Sequence, residues 1–393
     1  MDSKILAVII KESLHMKKMK QILLILCFVP IYCIYGQIKM ATPFPVQVYN
    51  GNNVTSIVYE IHLVDSLKRP VEFLDFIISS EKKILLHDTI YENFPKKADK
   101  NRYIKYIWIN VDTVPKLLTH KIKYNIGGEI YKFSKDIEVN DFPLVSIGLP
   151  VKNGIWYMED GPSPKNSHRN FTQATKSQYD STQNGYKLGY SNQRFAIDFS
   201  KVGEDGLLYK NKGIQNSDYY CYQTDVIAVA DGIVVGVKDS IPDMPHPPAI
   251  EEFKKPTDYT GNLVLLDIGN GIIASYAHLL AYSIKVHLGD TLKKGDFIAK
   301  IGNSGNSTGP HLHFHLSKPD YFKVERTDII GMFIVSEGIP YVFDDYIEYN
   351  VISGKIIDYE GITELKSEPF IYNQPKQVRS TMPYDKDIIG VKE

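Results

Sequence analysis

The chain has 393 residues, with 45 Lys+Arg against 46 Asp+Glu and a formal net charge of −1. That balance excludes a protein drawn by bulk charge to nucleic acid or to an anionic membrane, while the length suffices for two ordinary domains. With 27 Tyr, 27 Gly and 21 Pro, and no long Ala- or Leu-rich stretch beyond the first 40 residues, the composition favours an all-β chain.

Near the N-terminus, Lys17, Lys18 and Lys20 precede an apolar run from Ile22 to Tyr35 that ends in Gly36 and Gln37. This is the pattern of a secretory signal peptide over residues 1–36, cleaved after Gly36. The run is short for a membrane span and Pro30 interrupts it, so no stable membrane insertion is expected after cleavage; a retained anchor is the alternative. Leu26 and Tyr32 stand before Cys27 and Cys33, where a lipoprotein signal has a small residue, which argues against lipidation. Cleavage would leave Cys221 as the sole cysteine, with no intrachain disulfide and a thiol that reads as buried or idle rather than as a nucleophile.

Residues 38–142 alternate apolar and polar positions, as in SIVYEIHLV around Tyr59 and YIKYIWINV around Trp108, with turn signals at Asn50-Gly51 and Gly127-Gly128. An immunoglobulin-like β-sandwich is expected there, serving as a binding or spacer domain. Pro143, Gly148, Pro150 and Gly154 mark a boundary, and a second domain is expected over 154–350. It opens with a long polar stretch from Glu159 to Gln193, of the length that often carries function.

In VIAVADGIVVGV, two β-branched runs flank Asp231-Gly232, a strong hairpin signal. After a proline-rich excursion, LVLLDI and IIASYAHL flank Asn270-Gly271 as a second hairpin, and FIAKI leads from Phe297 through GNSGNSTG into a histidine-rich segment. Repeated hairpins predict an antiparallel β barrel-sandwich. Residues 351–393 read as a charged, irregular tail.

The segment Thr308 to Leu316, TGPHLHFHL, sets His311, His313 and His315 at alternate positions. As a strand, its period of two points all three imidazoles to one face. Burying them without a metal or an acid would leave ring nitrogens to satisfy at roughly 1–3 kcal/mol each. One short strand could thus supply a metal ligand and a base. His62, His87, His120, His246 and His287 stand without partners in the sequence and read as ordinary surface or core residues.

Asp198 in RFAIDFS, His278 in ASYAHLL, and His311 and His313 in TGPHLHF follow one another in order. With AIDF, DVIAVADGIVVGV, SYAHL and KKGDFIAKIGNSGNSTGPHLHFHL, the chain from Trp156 to Pro319 resembles the lysostaphin-like and LytM-like zinc metallopeptidases. These are secreted bacterial enzymes of the duplicated hybrid motif barrel fold that cut peptide bridges in peptidoglycan. The resemblance implies one Zn²⁺ per chain held by Asp198 and His313, with His278 and His311 assisting catalysis. It also implies peptidoglycan peptide or another peptide as partner, no nucleic acid, and a secreted, periplasmic or cell-envelope location in a bacterium.

One position departs from that pattern. The family's usual first ligand is a histidine four residues before the aspartate, where this chain has Arg194, and arginine keeps its proton and cannot ligate. His168, in GPSPKNSHRNF, is the replacement expected from the long polar stretch, with Arg194 as a charge beside Asp198. His315, about 6–7 Å beyond His313 along a strand, is expected to support the site or touch substrate rather than ligate. The GNSGNSTG segment lacks the lysine and following helix of a phosphate loop and reads as the turn that aims the histidine strand.

Three functions fit these residues. The first is a secreted zinc metalloendopeptidase that hydrolyses peptidoglycan cross-links with a metal-activated water. The second is a catalytically inactive cell-wall-binding or hydrolase-activating protein, and the third is a secreted protease for other proteins.

Overall fold

A computed structural model describes residues 38–42, 46–51, 54–65, 67–89, 95–97, 102–139, 144–166, 168, 191–245, 256–319, 336–356 and 367–392. The expected signal peptide, residues 169–190 of the long polar stretch, and most of the proline-rich excursion lie outside them. Among the described residues the chain is all-β, its helical elements being short 3₁₀ turns. No helix among them is long and apolar enough to cross a membrane.

Among the described residues the chain divides into two compact units: one within Met1–Ala41, His62–Lys105 and Leu118–Ile137, the other within Thr42–Ile61, Tyr106–Leu117 and Glu138–Glu393. The expected boundary after residue 142 therefore needs correction, since two segments of the expected sandwich group with the C-terminal residues. A strand is one continuous apolar pattern even where its two ends pack into different clusters, so periodicity alone does not reveal the division.

In the first unit, a four-stranded antiparallel sheet runs in the order Lys83–Asp88, Glu72–Ser80, Leu117–Ile126, Glu129–Glu138. Strict alternation in Leu117–Ile126 buries Leu118, His120, Ile122, Tyr124 and Ile126 on one face. Gly127 and Gly128 both take positive φ, as a two-residue hairpin requires.

The second unit is built on a large sheet. Its central strands run in the order Gly154–Met158, Ile197–Val202, Leu312–Pro319, Ile273–Leu279, Asn262–Asp267, Gly232–Lys238, each antiparallel to the next. A smaller antiparallel pair, Asp225–Ile227 with Phe297–Lys300, lies over it. Val226, Ile298 and Ala299 from that pair share one apolar core with Val264, Leu266, Tyr276 and Phe314 of the large sheet. Layers of this kind bury the inward residues of both sheets.

Two expectations about local structure fail. Asp231-Gly232 does not close a hairpin: the strand before it pairs with Phe297–Lys300 and the strand after it with Asn262–Asp267. Gly232 instead serves a close approach, because a Cβ there would meet the Asp267 carbonyl oxygen at 2.6 Å, and Asp231 accepts hydrogen bonds from Lys293 and Lys294. Asn270-Gly271 does turn a hairpin, with φ of 54° and 71°.

The expected irregular tail is the second failure. Ser367–Thr381 pairs with Tyr341–Ile356, and Ile388–Val391 pairs with both Tyr341–Ile356 and Gly154–Met158. Ser367–Thr381 is mostly exposed and contains Pro375, which suits an edge strand but hides the apolar alternation that marks a half-buried one.

Candidate metal centre

Pairing register builds the site. Asp198 on Ile197–Val202 lies directly opposite His313 on Leu312–Pro319, and His313 lies opposite Ala277 on the next strand. Directly opposed residues have close Cβ atoms, and His313 Nδ1 stands 2.8 Å from Asp198 Oδ1. Asp198 Oδ2 faces two further imidazoles, His168 Nε2 at 3.5 Å and His311 Nε2 at 3.6 Å. Ligand atoms of His168, Asp198 and His313 all lie within 4.8 Å of one another.

His278 reaches the group through a backbone irregularity. Opposite it the register shifts, so that Ala277 and His278 together face Leu263, and His278 takes φ of 58°. Such a bulge re-aims a side chain, and left-handed backbone at a non-glycine residue is a cost that clusters at functional sites. The rings of His278 and His311 lie 4.9 Å apart, centroid to centroid.

The glycine-rich loop holds both rings by their Nδ1 atoms. His278 Nδ1 is 2.7 Å from the Ser304 carbonyl oxygen, and His311 Nδ1 is 2.7 Å from that of Gly309. A carbonyl only accepts, so each ring carries its proton on Nδ1 and leaves Nε2 as a free lone pair. Gly261 and Gly305, with φ of 61° and 81°, pack so closely that a Cβ on Gly305 would meet Gly261 N at 2.2 Å, which fixes the backbone at Ser304. Cys221 is buried and its thiol donates to the Pro310 carbonyl at 2.9 Å; burial pushes that thiol up to about 12, which suits a packing role.

Burial sets the charges. On its own it would raise the Asp198 carboxyl, but the imidazoles of His168, His311 and His313 hold it well below the usual carboxylate range. Burial, with His311 and His313 nearby, lowers His278 to about 3, and burial lowers His313 against the pull of Asp198. A deprotonated carboxylate and neutral imidazoles are the forms that bind metal. One carboxylate and two imidazoles, with a further position left for water, fit a zinc ion.

Arg194, expected as a charge near Asp198, makes its ion pairs with other residues. Its buried guanidinium is committed to Glu337, Nε to Oε1 at 2.5 Å, and to Glu60, Nη2 to Oε2 at 3.0 Å. Glu337 also accepts from Ser191 N, and the Ser191 hydroxyl donates to the His168 carbonyl at 3.5 Å, so this ion group braces the turn against which His168 rests. His315 is wholly buried, and its Nδ1 is 3.0 Å from His313 Nε2.

Sequence reasoning missed Glu60 and Glu337, which are far from Arg194 in the chain and carry no local motif. It also passed over Glu159, whose N–H donates to the Asp198 carbonyl and whose carboxylate accepts from Ser200 at 2.7 Å. Two acidic residues opening a polar stretch look like solvated surface.

A buried carboxylate and imidazole group at strand register positions, edged by two imidazoles with free Nε2 atoms, defines a candidate metal-dependent hydrolase. Residues 210–324 match the sequence model of Peptidase family M23. The matched stretch contains His278, His311 and His313, whereas His168 and Asp198 precede it.

Among curated proteins, the chain is 25% identical over 242 residues to an uncharacterized metalloprotease of Buchnera aphidicola subsp. Baizongia pistaciae, covering 59% of each. It is 34% identical over 93 residues to the peptidoglycan DD-endopeptidase ShyA of Vibrio cholerae serotype O1, covering 24% of this chain and 17% of that protein. The chain thus spans about three fifths of the first relative and under a fifth of the second. Among solved structures, the catalytic domain of lysostaphin from Staphylococcus simulans is 26% identical, covering 33% of this chain and 72% of that one, with a TM-score of 0.20.

Proposed function

We propose that the protein is a zinc-dependent endopeptidase that hydrolyses peptide bonds in peptidoglycan cross-links outside the bacterial cytoplasm. The observation that carries this reading is the cluster of His168, Asp198 and His313. The M23 match and relatives named as DD-endopeptidases support the peptidoglycan substrate.

His168, Asp198 and His313 would hold the ion. When bound, zinc polarises the scissile carbonyl and lowers the pKa of a bound water from about 15.7 to about 7. Asp198, kept ionised by the imidazoles around it, balances the ion's charge. His278 and His311 present Nε2 lone pairs because Ser304 and Gly309 take their Nδ1 protons. One Nε2 removes the proton of the attacking water, and the imidazolium so formed delivers it to the departing amine nitrogen. Buried walls shield both Nε2 atoms from bulk water, and burial with His311 and His313 nearby holds the His278 ring neutral.

The test is metal content by elemental analysis of residues 38–393, with release of cross-linked muropeptide fragments followed in parallel. One zinc per chain, lost in His168→Ala and His313→Ala, with hydrolysis abolished by a chelator, is the expected result. Zinc lost in neither variant, or hydrolysis that persists in chelator, refutes the reading.

A further inference from the structure

His313 has a neighbour at each ring nitrogen. Nδ1 faces Asp198 Oδ1 at 2.8 Å, and Nε2 faces His315 Nδ1 at 3.0 Å. The two rings are nearly perpendicular, at 77°, with centroids 5.2 Å apart. His315 is wholly buried between Phe314 and Leu316, themselves wholly buried, and its strand position is opposite Ser275. Its place is therefore set by the sheet and the core.

We infer that His315 is a positioning residue for His313: its Nδ1 accepts the Nε2 proton of His313 and so reserves His313 Nδ1, the atom that faces Asp198, for the metal. The inference rests on the metal reading given above and extends it to a residue outside the ligand set. Its logic is that of proton count. A neutral imidazole carries one proton, and a ring that ligates through Nδ1 must carry that proton on Nε2. A buried N–H needs an acceptor, and leaving one unmet costs about 1–3 kcal/mol. Of the ring atoms near His313 Nε2, His315 Nδ1 stands within hydrogen-bond distance, and it accepts when His315 carries its own proton on Nε2. Ligating histidines with such an outer acceptor lose about 10–100-fold in metal affinity when the acceptor is removed. Here the acceptor comes from the same strand two residues on, so one segment supplies both ligand and brace.

The test compares His315→Leu, His315→Asn and His315→Gln with the parent and with Asp198→Ala, using zinc alone and a competing chromogenic chelator. Asn places its carbonyl oxygen where the imidazole has Nδ1, whereas Gln carries its amide to the position of Nε2. The expected result is zinc affinity lower by about 10–100-fold in His315→Leu, recovered in large part by His315→Asn and not by His315→Gln. In the zinc-loaded parent, ring-nitrogen NMR should place the His313 proton on Nε2. Comparing Asn with Gln keeps the test intact if the Leu variant fails to fold.

Parent-like affinity in both His315→Leu and His315→Gln, or a His313 proton on Nδ1 in the zinc-loaded protein, overturns the inference. If the parent binds zinc no better than Asp198→Ala, the metal reading itself fails and the inference falls with it. If the parent binds and Asp198→Ala does not, a parent-like His315→Leu and His315→Gln pair sinks the role of His315 alone.

Discussion

Replacing Arg194 by methionine keeps most of the side-chain volume while removing the cation between two buried carboxylates. Both carboxylates are almost fully shielded, with side-chain exposure of 1% for Glu60 and 6% for Glu337. Taking one partner from a buried ion pair costs about 3–5 kcal/mol, because the remaining charge keeps its desolvation penalty without its partner. In a unit of this size that lowers Tm by on the order of 10 °C. The loss also depends on pH. Burial pushes the Glu337 carboxyl up to about 7 even though Arg194 pulls it down, so removing Arg194 raises it further. A carboxyl raised in the folded state contributes stability that is full below its unfolded pKa and is lost as pH rises through the folded value. Below about pH 7 the parent carboxyl is protonated as well, so the variant's deficit should be flat and smaller there and grow as pH rises from 7 through 8. Both tryptophans of the chain, Trp108 and Trp156, belong to the same unit as Arg194, so their fluorescence during urea unfolding reads the relevant transition. A deficit below about 1 kcal/mol at pH 8, the usual size for an exposed pair, would refute the reasoning, as would one of equal size at pH 5.

Gly305→Ala should lower stability by several kcal/mol and slow peptide hydrolysis, because the new methyl would fall 2.2 Å from Gly261 N at φ of 81° and displace the Ser304 carbonyl that holds His278; a fully active, stable variant contradicts this. Burial raises Asp387 to about 7, while its carboxylate accepts from Tyr384 N. Asp387→Asn keeps that acceptor, so its gain in stability over the parent should grow as pH rises from 4 to 7 and then level off; denaturant titrations at three pH values check the sign. Ending the chain after residue 380 removes Met382, Ile388 and Ile389, all wholly buried, each contributing roughly 1.5–3 kcal/mol, along with the strand that pairs with Gly154–Met158. Circular dichroism and fluorescence should show the larger unit unfolded at 25 °C, and native spectra would disprove it.

The parts of the site legible in the sequence were those with local period or punctuation. Alternation in TGPHLHFHL marks a strand with three imidazoles on one face, and the structure places His313 and His315 in that strand with His311 immediately before it. Asn270-Gly271 marks a hairpin because both residues need positive φ, and both have it. Asp231-Gly232 looks the same in sequence but serves a crossing between two sheets, since the glycine answers to the Asp267 backbone rather than to a turn. The Arg194 ion group was illegible because its members come from three distant segments and long-range charge pairing leaves no period. The end of the chain was misread because an exposed edge strand has little apolar alternation to show.

The pairing of Asp198 with His313 carries a hazard of its own. With histidine at every second position of His311, His313 and His315, a slip of the strand by two residues would still set an imidazole opposite the carboxylate and keep all three on the same face. The histidines are thus degenerate as markers of alignment, and something else must specify which one meets Asp198. The shapes between them do so: Leu312, Phe314 and Leu316 are wholly buried, and the one phenyl ring is larger than the two leucines that flank it, with Phe314 set edgewise against Tyr341 and tilted against Tyr276. Making those three apolar residues alike would leave every polar group of the centre in the chain and still let the strand settle in more than one alignment.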